Sequence, residues 1–294
     1  MASAEEWSIG RLLTWTADYL KKQGAESPRL DAEVLLAHAR GCQRLDLYTA
    51  FAEIATDATR AAYRELVKRR AAGSPVAYLV GHREFYSLPF QVTPDVLIPR
   101  PETEFLVIAV LDRIKQQSGS AAVRIVDVGT GSGAIAASIA RHAPQAQVVA
   151  LDLSPAALEV ARRNLTELGV SERVELRESD LLAGVMAEEQ QYDFVVSNPP
   201  YVSEAEWTGL AREVRDHEPR LALVGGPSGT ELYSRLVPQA ARILRPGGWL
   251  ILEISPQIQH NVEQIITADG RFEPPGVTKD LAGLARVVHS RRIA

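Results

Sequence analysis

The chain has 294 residues, 46% hydrophobic and 23% charged, which is ordinary globular composition with room for two domains or one domain with an extension. A net charge of -5 argues against a dedicated nucleic-acid binder, which carries a basic face, and a single cysteine, Cys42, excludes an internal disulfide framework and fits a reducing compartment. The acidic start, Met1 to Glu6, lacks an apolar signal core and no apolar run approaches membrane-spanning length, so a cytoplasmic protein without a membrane partner is expected.

Residues 8 to about 82 read as helices and are expected to form a domain, 1–82. Ile9, Leu12, Leu13, Thr16, Tyr19 and Leu20 recur at helical spacing, and Gly24 stops the segment. Ser27-Pro28 offers a cap and a first-turn proline before Leu30, Val34 and Leu35, and Gly41 ends that helix. A third helix starts at Asp57 and runs through Tyr63, Leu66 and Val67 to Gly73; Ser74-Pro75 opens a short fourth before Gly81. Lys68, Arg69 and Arg70 form a small basic cluster that reads as a solvated helix end, and His38 reads as a surface or packing residue. No catalytic cluster is visible in this part.

Glu84 to Val92 changes character. Phe85, Leu88, Phe90 and Val92 sit among turn formers, as in a β-hairpin or an extended linker, and the segment 83–100 is expected to join the domains. Pro101 suits the first helical position of a segment running from Phe105 to Gln116. The second domain, 101–294, then alternates strand and helix. Strands are expected over 123–127, 147–152, 174–176, 194–197, 249–254 and 285–290. Helices are expected over 134–141, 154–168, 231–244 and 257–266. Alternation of this kind implies an α/β fold, a parallel sheet with helices on both faces.

Within this domain, Phe194-Val195-Val196 reads as a buried strand ending at Ser197, and Asn198-Pro199-Pro200-Tyr201 follows. Each proline fixes its own φ and pushes the preceding residue to extended geometry, so the exit from the strand is stiff. The Asn198 side-chain oxygen and the Pro199 carbonyl can each accept one N–H, and the Tyr201 ring offers a face or an edge. Such groups suit the holding of a planar NH2. Asn-Pro alone would read as loop punctuation; four such residues at a strand end, downstream of a glycine-rich loop, favour a site.

That loop is Asp127-Val128-Gly129-Thr130-Gly131-Ser132-Gly133, between the first strand and the helix after it. Glycines let the backbone turn tightly and approach a ligand, and the free N–H groups of the helix start favour an anionic group. Asp152, at the end of the next strand, is placed to accept from both ribose hydroxyls of a nucleoside. The third glycine comes one residue earlier than in the dinucleotide fingerprint. The spacing resembles motif I of S-adenosylmethionine-dependent methyltransferases. In those enzymes the position of Asp180, before Leu181, lies beside the adenine; Asp180 reads either as an acceptor there or as a turn residue.

Motif I together with Asn198-Pro199-Pro200-Tyr201 resembles the amino-methyltransferases. Three further stretches, Pro75 to Phe85, Leu97-Ile98-Pro99-Arg100-Pro101-Glu102-Thr103-Glu104 and Glu218-Pro219 to Gly225-Gly226, are similar to the PrmC/HemK family, and the likeness covers nearly the whole chain. It implies a Rossmann-like class I methyltransferase sheet, mostly parallel with the last strand antiparallel, behind a small helical substrate-docking domain. It also implies protein-(glutamine-N5) methyltransferase activity on the Gly-Gly-Gln loop of class I peptide-chain release factors, with S-adenosylmethionine as methyl donor. Cofactor contacts are then expected from Asp127, Gly129, Thr130, Gly131, Ser132, Gly133, Asp152, Asp180, Leu181 and Asn198. Substrate contacts are expected from Asn198, Pro199, Pro200 and Tyr201, and the family pattern adds Arg100 and Glu102, for which an inter-domain salt bridge or a helix start is the other reading.

Asn198, Pro199 and Tyr201 are the expected catalytic residues; no general base and no metal is expected. The nearest rival is an adenine-N6 methyltransferase, since adenine N6 is also a planar NH2. Such an enzyme must bind a phosphate backbone and flip a base, for which an acidic chain without a basic insert is poorly suited. A nucleoside-binding protein or an NAD-dependent dehydrogenase is disfavoured by the glycine spacing.

Overall fold

A computed structural model describes residues 6–116 and 122–293. The stretch Met1 to Glu5, read above as an acidic start, lies outside the described residues. The chain divides into two compact units, Met1–His82 with Ala211–His217, and Arg83–Leu210 with Glu218–Ala294.

The first unit is helical. Ser8 caps α1 (Ile9–Lys22) by accepting from the Arg11 N–H at 3.2 Å. Pro28 occupies the first turn of α2 (Pro28–Arg40), but Ser27 makes no side-chain cap bond. Gly41 closes that helix in the left-handed conformation, φ 68°, which glycine adopts without a Cβ clash. A four-residue helix, α3 (Asp46–Thr49), was not expected. Thr56 caps α4 (Asp57–Ala71), and α5 (Val76–Val80) follows Pro75. Leu13, Leu20, Leu35, Leu36, Tyr63 and Val67 bury one another, each fully buried side chain contributing roughly 1.5–3 kcal/mol.

Arg70 corrects the expectation of a solvated helix end. Its side chain is 10% exposed, donates to Asp31 Oδ2 at 2.7 Å and pairs with Glu213. Glu213 belongs to the helical turn Arg212–Arg215, so a distant segment completes this unit's polar core. His38 is exposed.

A hairpin follows, β1 (His82–Phe85) and β2 (Leu88–Gln91), all of which but His82 belongs to the second unit. Tyr86 and Ser87 both have positive φ, 50° and 58°, as a two-residue hairpin turn twisted to match its strands requires. Phe85 and Phe90 pack on Leu106 and Val110 of α6 (Glu104–Gln116). A 3-10 turn, Pro101–Thr103, precedes that helix, so Pro101 initiates a tighter turn than expected.

A seven-stranded sheet forms the centre. It comprises β3 (Val123–Val128), β4 (Ala146–Asp152), β5 (Val174–Glu178), β6 (Tyr192–Ser197), β9 (Leu244–Glu253), β10 (Gly276–Lys279) and β11 (Ala285–Arg291), in the order β10-β11-β9-β6-β3-β4-β5. The last strand, β11, runs antiparallel to both its neighbours, and the remaining pairings are parallel. Between β6 and β9 the chain adds a two-stranded ladder, β7 (Val202–Ser203) with β8 (Val224–Gly226), and the turns α9 (Glu204–Trp207) and α10 (Arg212–Arg215).

Alternation along the strands explains the two apolar layers. Ile125, Val148, Phe194, Val196 and Ile251 face α6 and α7 (Ala134–His142), with Leu165 of α8 (Pro155–Glu167) in the same layer. Val126, Val128, Leu151, Val195, Leu250 and Leu252 face α11 (Glu231–Ile243) and α12 (Gln259–Asp269). β10 was missed because Gly276-Val277-Thr278-Lys279 is a short, half-exposed edge without an apolar run. β9 begins at Leu244 rather than Trp249, running through a proline and two glycines that read as a loop.

Strand order reverses at β3. The chain goes outward through β4 and β5, then returns to β6 on the other side. In open α/β sheets a crevice forms at such a switch point, beyond the carboxyl ends of the strands.

Candidate active site

The glycine loop leaves β3 at this switch point. Gly129 and Gly131 have φ of 72° and 55°, with open space where a Cβ would stand. The N–H groups of Gly129 and Thr130 donate to the Leu151 carbonyl at 2.8 and 2.9 Å, tying the loop to β4. The Thr130 hydroxyl donates to Asp127 Oδ2 at 2.7 Å. Asp127 is fully buried, its Oδ1 lacks a partner among the described residues, and burial pushes its carboxyl up to about 7. Gly133 caps α7 where a Cβ would stand 3.3 Å from Ala161 Cβ, so its absence lets α7 and α8 approach.

Asp152 closes the loop from β4. Its Oδ2 accepts from the Gly131 N–H at 2.8 Å and its Oδ1 from the Ser154 N–H at 2.9 Å. Burial raises its pKa from the ordinary range, opposed by these donors. Ser154 also caps α8, accepting from Ala157 at 3.2 Å.

A cavity of about 340 Å³ opens beside these groups, within the range that holds a small-molecule ligand. Gly129, Gly131, Asp152, Asp180 and Leu181 line it. Asn198, Pro199 and Pro200 close the end nearest β6. The wall also includes Asp95 and Val96, which sequence reasoning passed over, and Leu97, which it quoted only as part of a family stretch.

The predicted residues thus separate into two groups. Asp127, Thr130, Ser132 and Gly133 shape the loop from behind, outside the cavity wall. Asp180 is at the wall but half-exposed, and it accepts from Arg235 at 2.6 Å. Leu181 adopts a φ of 51°, uncommon for a residue other than glycine. The Tyr201 ring packs on the apolar layer beneath α11 and does not line the cavity. Arg100 pairs with Glu218 inside the second unit, so this ion pair does not join the two units. Glu102 lies in the turn before α6, 3.7 Å from Arg286.

The Asn198 loop is held from several sides. Ser197 is buried, and its hydroxyl donates to the Val128 carbonyl at 2.7 Å, joining the ends of β6 and β3. The Val202 N–H donates to the Leu223 carbonyl at 2.9 Å. Gly225 and Gly229 bring backbone against backbone: a Cβ on either would collide with the carbonyl of Pro200 or Tyr201. Glu218, 1% exposed, accepts from the Ile98 N–H at 3.2 Å as well as from Arg100. Finally, Asn198 Nδ2 donates to Thr103 Oγ1 at 3.1 Å.

Thr103 and Glu218 hold the Asn198 loop, and sequence reasoning left both without a role.

The residues present fit S-adenosylmethionine. The glycine cradle admits close approach, Asp152 is an acceptor at the cavity wall, and the Asn198 loop lines the same cavity. Fold and site together define an S-adenosylmethionine-dependent methyltransferase.

Residues 11–81 match the PrmC N-terminal domain model and residues 103–216 the methyltransferase small domain model. The chain is 48% identical over 287 residues to the release factor glutamine methyltransferase of Rhodopirellula baltica, covering 97% of each chain. It is 46% identical over 263 residues to that of Moorella thermoacetica, covering 90% of this chain and 91% of the relative. In fold it is similar to a methyltransferase from Pyrococcus furiosus, with a TM-score of 0.51 at 18% identity, over 71% of this chain and 91% of that one. The chain belongs to the release factor glutamine methyltransferase family.

Proposed function

We propose that this enzyme methylates the side-chain amide nitrogen, N5, of the glutamine in the Gly-Gly-Gln motif of class I peptide-chain release factors. The observation that carries the reading is that Asn198, Pro199 and Pro200 line one cavity together with Gly129, Gly131 and Asp152. Bound S-adenosylmethionine supplies an electrophilic methyl group. Gly129 and Gly131 would admit its close approach, Asp152 would accept from its ribose hydroxyls, and Asp180 and Leu181 would stand on the adenine side.

An amide nitrogen is a poor nucleophile because its lone pair is shared with the carbonyl. Asn198 Oδ1 and the Pro199 carbonyl each accept one of its hydrogens, which favours pyramidalisation and aims the lone pair at the methyl. The same two oxygens stabilise the positive charge that develops on nitrogen in the transition state. The rest is positioning: the stiff proline pair fixes where these two oxygens stand, and with them where a bound amide nitrogen would be held. The proton leaves after attack, so no general base is required. Pro200 and the rigid packing of Tyr201 hold the loop.

The helical first unit serves as a docking surface for the release factor. Arg100 and Glu102 act by shaping the wall around the substrate. Among the described residues no helix is long and apolar enough to cross a membrane. Mass spectrometry of a release factor incubated with the enzyme and S-adenosylmethionine tests the proposal. One methyl gained at the Gly-Gly-Gln glutamine is expected; an unmodified glutamine, or a methyl on another residue, overturns it.

A further inference from the structure

We infer that the turn of the β10–β11 hairpin, residues 280–284, is a docking element for the protein substrate, with Leu281 as its apolar anchor. This rests on the release-factor reading above and names a surface beside the cavity that the partner covers.

The place of the hairpin follows from register. Lys279 pairs with Ala285, so residues 280–284 form the turn. Val287 lies opposite Glu253 on β9, and Leu252, one residue earlier, lies opposite Ser197 on β6. The Ile254 N–H donates to the Arg286 carbonyl at 2.8 Å. Because β11 runs antiparallel to β9, it starts where β6 and β9 end. The turn therefore stands at the carboxyl edge of the sheet, the edge from which Asn198 leaves. Two strand spacings, about 10 Å, separate β11 from β6. A stable protein interface buries about 800 Å² on each partner, a patch about 30 Å across. A folded protein whose glutamine enters the cavity thus has this turn within its footprint.

Leu281 is 100% exposed and Leu284 46%. An exposed leucine by itself says little, because folded proteins keep much apolar surface. The frame around this one is the informative part. Asp280 Oδ1 accepts from the N–H groups of Ala282 and Leu284, each at 2.9 Å, and its Oδ2 accepts from Arg286 Nε at 2.7 Å. The Asp280 N–H donates to the Leu284 carbonyl at 2.8 Å, and the Gly283 N–H to the Asp280 carbonyl at 2.9 Å. Gly283 has a φ of 80°, which glycine adopts without a Cβ clash. The backbone is fixed while the leucine side chain stands in solvent. A pre-set loop has little freedom left to lose on binding, so an apolar side chain carried on it is an efficient anchor.

The same polar groups tie the turn to the site. Arg286, 20% exposed, stands 3.7 Å from Glu102. Glu102 belongs to the turn Pro101–Thr103, and the Thr103 hydroxyl accepts from Asn198 Nδ2 at 3.1 Å. Lys279 is exposed at the base of the turn. An apolar tip above charged groups fits an apolar recess with a polar rim on the partner. Methyl transfer makes no use of Leu281, so its contribution falls on substrate binding.

The test is steady-state methylation of an intact release factor by Leu281→Asp and Leu281→Ala, with S-adenosylmethionine affinity measured by calorimetry. Leu281→Asp is expected to raise KM for the release factor roughly tenfold or more, because a charge replaces the buried anchor, and Leu281→Ala to raise it several-fold. In both, kcat at saturating release factor and cofactor affinity should stay within about twofold of wild type, since uniform binding alone is lost. Hydrogen exchange on the wild-type enzyme supplies a measurement that needs no variant: amides in 280–284 should exchange more slowly once release factor is added. A wild-type KM in Leu281→Asp, a loss confined to kcat, or unchanged exchange in the turn would each overturn the hairpin assignment while leaving the function standing. A glutamine left unmodified by the wild type overturns the function, and the hairpin assignment with it.

Discussion

The backbone of Gly225 lies against the backbone of Pro200 so closely that a Cβ on the glycine would stand 3.0 Å from the proline's carbonyl carbon and collide with its oxygen. The obstacle is main chain, which cannot swing aside as a side chain does. Gly225→Ala is expected to displace the Asn198 loop and cut kcat by at least about tenfold. Circular dichroism should stay unchanged, since the contact lies outside both apolar layers. Steady-state kinetics on a release factor checks this.

Arg100 and Glu218 form an unequal pair, with Arg100 31% and Glu218 1% exposed. Arg100→Ala leaves a carboxylate buried with the Ile98 N–H as its remaining donor, a loss of about 2–4 kcal/mol after allowing for the exposed partner. Replacing Glu218 by alanine as well should recover part of that loss, because the charge left behind is removed. Urea unfolding of the two variants measures both terms.

Asp152 and Asp180 both line the cavity but differ in what holds them. Asp152 is largely buried, with two backbone donors fixing its oxygens; Asp180 is 52% exposed and already paired with Arg235. Asp152→Ala is expected to weaken S-adenosylmethionine binding by roughly ten- to a hundredfold, the worth of a charge-assisted hydrogen bond or two. Asp180→Ala should cost only a few-fold, because solvent and Arg235 compete for its oxygens. Calorimetric titration of each variant distinguishes them.

How much of this was legible beforehand follows from what each signal depends on. The parallel strands announced themselves as apolar runs because they are buried on both faces. The glycine loop and Asn198-Pro199-Pro200 were visible because special backbone geometry requires special residues. Thr103 was not, because its meaning lies in a bond to Asn198, 95 positions away in sequence. Arg70 was misread for the same reason: its partners, Asp31 and Glu213, are supplied by distant segments. Tyr201 belongs to the quoted motif, yet its ring is taken by the apolar layer rather than the cavity.

Asp127 gives a pH dependence with a definite sign. Burial raises its carboxyl to about 7, with Asp152 nearby adding to the shift and the Thr130 hydroxyl opposing it. The folded state therefore holds a proton that the unfolded chain releases near 4. This contribution to stability is fully present at low pH and is lost as pH rises toward 7. Asp127→Asn keeps an acceptor for Thr130 without the charge. Its stability relative to wild type should therefore grow between pH 5 and pH 8, by about 1 kcal/mol or more. Denaturant melts at both pH values supply the comparison.

Single-turnover methylation of a release factor by Asn198→Ala, with S-adenosylmethionine prebound, tests the central claim most directly. Removal of Oδ1 takes away one of two acceptors for the glutamine NH2. The rate constant should fall by roughly a hundredfold or more while cofactor affinity stays within a few-fold of wild type. A variant that transfers the methyl at near wild-type rate would contradict the account.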